Sequence, residues 1–182
     1  KGETRYWEQA QQAITDITGP QLNVMVSEFF LPGSEIQYSL NWRNVKQIEL
    51  ALYPVELNRD VKFGDNRRDW VDEISLAGRD KLKGWTRDAE DKGDYKPGNT
   101  TVRLDEKLSP GAYIIEGNAG GKTSRQLILV TDAALVLKSS GKQALVYFCD
   151  AMSGAPLANA KVVLRERWHW NGKWHTREQT KE

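Results

Sequence analysis

From Leu22 onward the apolar residues of this chain recur at every second position, and short turns separate the runs. Leu22, Val24 and Val26 alternate with polar residues, then Ile36, Tyr38, Leu40 and Trp42, then Ile48, Leu50 and Leu52. An extended strand turns successive side chains to opposite faces, so this period gives each segment one apolar face and asks for a shared core. Leu31-Pro32-Gly33-Ser34 reads as a turn and Arg43-Asn44 as a break, and Pro54 is expected to close the third strand. Strands resume over 101–104, 112–116, 125–131, 135–138, 144–148, 161–165 and from Trp174. With no helix between neighbours, the predicted fold is all-β: an antiparallel sandwich of immunoglobulin or fibronectin type.

Only the first segment keeps a helical period. Tyr6, Trp7, Ala10, Ile14 and Ile17 predict a helix from Thr4 to Thr18, capped by Thr4 and stopped by Thr18-Gly19-Pro20. So short a helix is marginal alone, so its apolar face is expected to dock on the following domain or on a region upstream. Residues 58–99 break the strand pattern with dense mixed charge. They are expected to form an insertion with a short helix or hairpin, pinned by Phe63, Trp70, Trp85 and Tyr95, and its charges to make a solvated face. The predicted plan is a helix over 1–19, a sandwich over 20–131 with the insertion at 58–99, and a truncated second sandwich over 132–182. That last part has about half the roughly 100 residues of a complete sandwich, and its open strand edges are an expected route to self-association.

Charge argues against several partners. Lys plus Arg number 26 against 25 acidic residues, a formal charge of +1, which gives no electrostatic case for nucleic acid or an anionic membrane. No apolar run approaches the ~20 residues that span a bilayer, so no membrane insertion is expected. A 39% hydrophobic and 28% charged composition suits a soluble globular chain. The single cysteine, Cys149, excludes an internal disulfide and a multi-cysteine metal site. The first residues, Lys-Gly-Glu-Thr, do not read as a signal peptide, so an export signal is expected to have been removed or to lie outside this sequence.

Three stretches look like chemistry. Gly117-Asn-Ala-Gly-Gly-Lys-Thr suggests a phosphate-binding loop, but Gly117 and Gly121 enclose only three residues where the motif needs four. A strand follows where a helix should open, so the run reads as a hairpin turn. RERWHWNGKWHTRE gathers three tryptophans and both histidines around Asn171-Gly172, a strong hairpin signal. A two-residue turn sets Trp170 opposite Lys173, His169 opposite Trp174 and Trp168 opposite His175. The histidines then lie on opposite faces, and no third metal ligand stands near. Ala160, Val162 and Leu164 mark a core face that Trp168 and Trp170 should continue, whereas Trp174 falls beside Arg165 and Arg167, suited to a cation–π stack. Trp168, Trp170 and Trp174 are the candidate contact surface, for a sugar or a peptide. Cys149 sits inside a strand as a small buried hydrophobe, with no histidine placed to activate it. No catalytic residue, cofactor site or metal ligand is assigned, and the chain is not read as an enzyme.

Three longer stretches resemble the alpha-2-macroglobulin family, especially its bacterial members. They are LPGSEIQYSLNWRNVKQIELALYPVEL, then LSPGAYIIEG, then LILVTDAALVLKSSGKQALVYFCDAMSGAPLANAKVVL, where Asp150, Gly154, Pro156 and Ala160 to Val162 carry the likeness. The last resembles the junction between two successive macroglobulin domains. The resemblance implies a structural fragment of a much larger exported protein, periplasmic or extracellular, whose parent traps proteases by enclosing them. Its partners would be other domains of the same parent chain, with proteases as the parent's targets. The family's thioester motif, Cys-x-Glu-Gln, is absent, since Asp-Ala-Met follows Cys149. The alternative reading is an immunoglobulin-like binding or adhesion module of a cell-surface protein, using the tryptophan-rich hairpin.

Overall fold

A computed structural model describes residues 5–61, 70–141 and 143–181, which fall into two units. The first, up to Val130, contains α1 (Trp7–Thr18), β1 (Gln21–Val26), β2 (Phe29–Phe30), β3 (Gln37–Arg43), β4 (Gln47–Val55), α2 (Leu57–Asp60) and α3 (Trp70–Glu73). It continues with β5 (Lys83–Asp88), β6 (Gly98–Arg103), β7 (Gly111–Ala119) and β8 (Lys122–Val130). Two sheets form, in the orders β1-β3-β6 and β2-β8-β7-β4-β5. Val24, Tyr38 and Leu40 from one sheet meet Ile48, Leu50, Leu52, Ile115 and Ile128 from the other in one buried core. Each belongs to the alternating apolar set of its strand, so the two-residue period builds an immunoglobulin-like sandwich. Pairing is antiparallel except at the two-residue β2, which lies parallel to β8.

Two corners hold this frame. At the first, β3 leaves one sheet and β4 enters the other through Asn44, whose φ is +56°. The Asn44 side-chain amide donates to the Ile17 carbonyl at 2.7 Å and the Gly19 carbonyl at 2.9 Å, capping the end of α1. At the second, the Tyr113 hydroxyl donates to the Ser109 carbonyl at 3.0 Å. This is the tyrosine corner of Greek-key sandwiches, and Leu108-Ser109-Pro110-Gly111-Ala112-Tyr113 is its sequence form.

Four expectations need correction. Pro54 does not end β4: it pairs with Tyr113, beyond Leu52, the last β4 residue that β5 reaches, and a missing N–H is tolerated on such an edge. Of the two partners expected for the apolar face of α1, the following domain is not the one among the described residues, with Tyr6 59%, Trp7 47%, Ile14 53% and Ile17 50% exposed. The helix is held instead by its last carbonyls; Thr4, its expected cap, lies outside the described residues. Residues 58–99 are not one excursion, because β5 is a sheet strand whose Trp85 indole donates to the Tyr38 hydroxyl at 3.1 Å. Of the expected anchors, Trp70 packs in a second cluster with Ala51, Tyr53, Ile74, Leu76 and Ile114 on the outer face of the larger sheet, whereas Tyr95 is exposed. Phe63 lies outside the described residues. The fourth correction concerns Trp168 and Trp170, in the other unit.

That unit begins at Thr131 and holds two antiparallel ribbons. One pairs β9 (Ala133–Ser140) with β10 (Gln143–Asp150), and the other pairs β11 (Val162–Trp170) with β12 (Lys173–Lys181). Among its described residues only Cys149 is buried.

Candidate functional site

Asn171 and Gly172 join β11 to β12 with φ of +48° and +71°, the left-handed pair of a tight two-residue hairpin turn. The register is the one the sequence predicts: Trp168 opposite His175, His169 opposite Trp174, Trp170 opposite Lys173. Trp168 and His175 stack with centroids 5.5 Å apart at 17°, and on the opposite face His169 meets Trp174 edge-on at 5.1 Å and 63°. The Arg167 guanidinium lies 4.2 Å from the Trp174 ring centroid, the expected cation–π stack. Ion pairs Arg165–Glu178 and Arg177–Glu166, one per face, brace the ribbon nearer its open end.

The hairpin brings Trp168 and Trp170 to one face and places Trp174 on the other, so the three rings form no common platform. The expectation that Trp168 and Trp170 continue a core face is overturned. Val162 and Leu164 are half-buried, but Trp168 is 43% and Trp170 65% exposed, because among this unit's described residues no second sheet covers that face. What remains is two exposed indoles backed by His175 and Lys173, a surface suited to flat apolar contact.

Other suspected chemistry resolves into turns. Gly120 and Gly121, with φ of +55° and +74°, turn β7 into β8, and Lys122 opens a strand. Cys149 is buried, with its thiol 3.7 Å from the Ala134 carbonyl. After it, Asp150 Oδ1 accepts from the Ser153 hydroxyl at 2.6 Å, the Ser153 N–H at 2.7 Å and the Met152 N–H at 3.1 Å. These bonds, the Ser153 hydroxyl foremost, hold the exposed carboxyl below its usual range. Gly154, at φ +71°, donates its N–H to the Asp150 carbonyl and accepts the Tyr147 hydroxyl at 2.8 Å. Asp150, Gly154 and Pro156 thus build the loop out of β10. Among the described residues no three His, Cys, Asp or Glu side chains cluster as metal ligands, and no helix is long and apolar enough to cross a membrane.

No family model and no curated protein matches this sequence. Among solved structures, Salmonella alpha-2-macroglobulin reacted with methylamine is 15% identical at a TM-score of 0.36, over 90% of this chain and 14% of that one. The native conformation of E. coli alpha-2-macroglobulin gives 15% identity and a TM-score of 0.34, over 90% of this chain and 13% of that one. The CARDB domain of a Pyrococcus furiosus protein, in complex with di-metal ions, gives 10% and 0.36, over 62% and 87%. The chain thus spans about one seventh of the macroglobulins it aligns with. At these scores the sandwich assignment rests on this chain's own strands and corners.

Proposed function

We propose that this chain is a structural, non-catalytic module of a larger exported protein of alpha-2-macroglobulin type, working outside the cytoplasm as part of a cage that restrains proteases. One observation carries the reading: the stretches of sequence likeness coincide with frame-building positions in two successive β units. Arg43-Asn44 makes the crossing between sheets, Leu108 to Tyr113 the tyrosine corner, and Asp150 to Pro156 the loop leaving β10. Residues at such positions serve mechanics, since each fixes a chain direction and none presents a reactive group to a substrate. Other domains of the parent are its immediate partners, and proteases are the parent's targets.

The test is a size-selective protease assay. The parent chain should leave a protease active on a small peptide substrate while shielding it from a large protein substrate, and the 182-residue chain alone should change neither. Equal inhibition of both substrates by the parent, or inhibition by the isolated chain, contradicts the reading. The exposed pair Trp168 and Trp170 favours a second reading, a binding module for a sugar or peptide. It requires saturable, ligand-dependent tryptophan fluorescence that is lost in a Trp170→Ala chain.

A further inference from the structure

Polarity changes along the β11–β12 hairpin. Trp170, Trp174 and Trp168 occupy the first three residue pairs counted from the turn, and the ion pairs Arg177–Glu166 and Arg165–Glu178 lie beyond them. At a strand rise of about 3.4 Å per residue, the three indoles fall within roughly 7 Å of the tip pair, and the ion pairs roughly 14 Å or more from it. The rings are 43%, 65% and 54% exposed for Trp168, Trp170 and Trp174, and they stand on both faces of the ribbon. A flat ligand meets one face and leaves the other unused, whereas a medium that surrounds the tip engages all three.

Charge selects that medium. The whole chain carries 26 Lys plus Arg against 25 acidic residues, a balance that hides a local excess. Within 161–181, Lys161, Arg165, Arg167, Lys173, Arg177 and Lys181 stand against only Glu166 and Glu178. Both glutamates are taken up in the two ion pairs, so Lys161, Arg167, Lys173 and Lys181 are not offset within the described hairpin. Such local asymmetry is the footprint of a polyanionic partner. The other exposed apolar surfaces lack it: α1 has Glu8 and Asp16 with no Lys or Arg, and Lys138 is the one Lys or Arg in strands β9 and β10.

We propose that the tip of the β11–β12 hairpin seats in the headgroup region of an anionic phospholipid bilayer and holds this module against the membrane surface without crossing it. Tryptophan favours that region because its ring is apolar and its indole N–H still finds a partner there. The ~7 Å spread of the three indoles matches the roughly 5–10 Å depth at which interfacial elements lie. Lys173 at the tip and Arg167, stacked on Trp174, reach the lipid phosphates, and the ion pairs further back stay in water. The attachment is reversible, since it has one hairpin and no acyl chain to hold it.

The test is co-sedimentation of the 182-residue chain with vesicles of mixed phosphatidylglycerol and phosphatidylcholine, against vesicles of phosphatidylcholine alone. The expected result is binding to the mixed vesicles that weakens as salt rises, and far weaker binding to the neutral ones. Lys173→Gln should weaken binding about fivefold, and Trp170→Ala at least about tenfold. Tyr95→Ala removes an exposed aromatic ring from the first unit and should change nothing. Amide exchange with mixed vesicles present should slow over 168–175 and not over α1. No binding to mixed vesicles, equal binding to both compositions, or protection confined to α1 or to β9 and β10 overturns the proposal. So does binding to soluble dextran sulfate with none to vesicles. If Trp170→Ala does not fold, Lys173→Gln and the exchange pattern of the unsubstituted chain decide. The proposal does not rest on the protease-cage reading: a parent that fails to shield proteases would leave it standing, and a chain that ignores vesicles would leave the cage standing.

Discussion

Gly120 carries two constraints at once. Its φ is +55°, and a Cβ there would stand 2.6 Å from the Pro20 Cβ, the residue that leads from α1 into β1. Gly121, at φ +74°, meets nothing within 4 Å. Gly120→Ala should therefore destabilise the chain by roughly 2–4 kcal/mol, combining backbone strain with displacement of Pro20. Gly121→Ala should cost only the backbone part, about 1–2 kcal/mol. Denaturant titration separates them, and equal costs would contradict the packing account. Asp60 makes the residue-scale case for pH. Arg79 donates to its Oδ2 at 2.8 Å, as does the Glu56 N–H at 2.8 Å, while Arg59 donates to Oδ1 at 3.1 Å. These bonds, Arg79 first, hold the carboxyl well below the usual carboxylate range. Because the folded value lies below the unfolded one, the stabilisation is full at neutral pH and fades as pH falls below about 4. Asp60→Asn should cost roughly 1.5–3 kcal/mol at pH 7, with the gap from the unsubstituted chain narrowing on acidification. Thermal melts between pH 7 and 2.5 check this; a gap that widens in acid would refute it.

At the scale of elements, Arg125 ties α3 to the larger sheet. Its Nε donates to Glu116 Oε2 at 2.6 Å, and its Nη1 donates to the Asp72 carbonyl at 2.9 Å and the Ile74 carbonyl at 3.1 Å. Glu116 is buried, so Arg125→Ala strands a carboxylate and should cost roughly 2–4 kcal/mol. Amides near Ile74 should gain exchange more than those of β3; uniform loss across the sandwich would mean that the arginine does not anchor α3. The pairing Glu116↔Arg125 follows once Gly120-Gly121 is read as a two-residue turn, so this contact was legible in the sequence. Its purpose was not, because the covering residues Trp70 and Ile74 sit inside a run of charges that hides their spacing. Strand β5 was concealed likewise: Lys83, Trp85 and Arg87 take alternate positions whose apolar stems pack while their polar ends reach water. By contrast β1, β3, β7, β8 and the Asn171-Gly172 hairpin follow directly from period and turn chemistry.

Over the whole molecule, one unit owns a core and, among its described residues, the other does not. The alternation that makes a strand recognisable says which face is apolar, but not whether a second layer exists to cover it. That is why Trp168 and Trp170 read as core yet stand exposed. The scaffold reading depends on this contrast: a self-contained sandwich followed by ribbons whose apolar faces call for neighbours. Native-state amide exchange tests it most directly. The account predicts that amides of β3, β4, β7 and β8 exchange only through global unfolding of the first unit, while those of β9 to β12 exchange orders of magnitude faster. Protection of β11 and β12 equal to that of β7 would mean that the second unit has its own core, and would contradict the account.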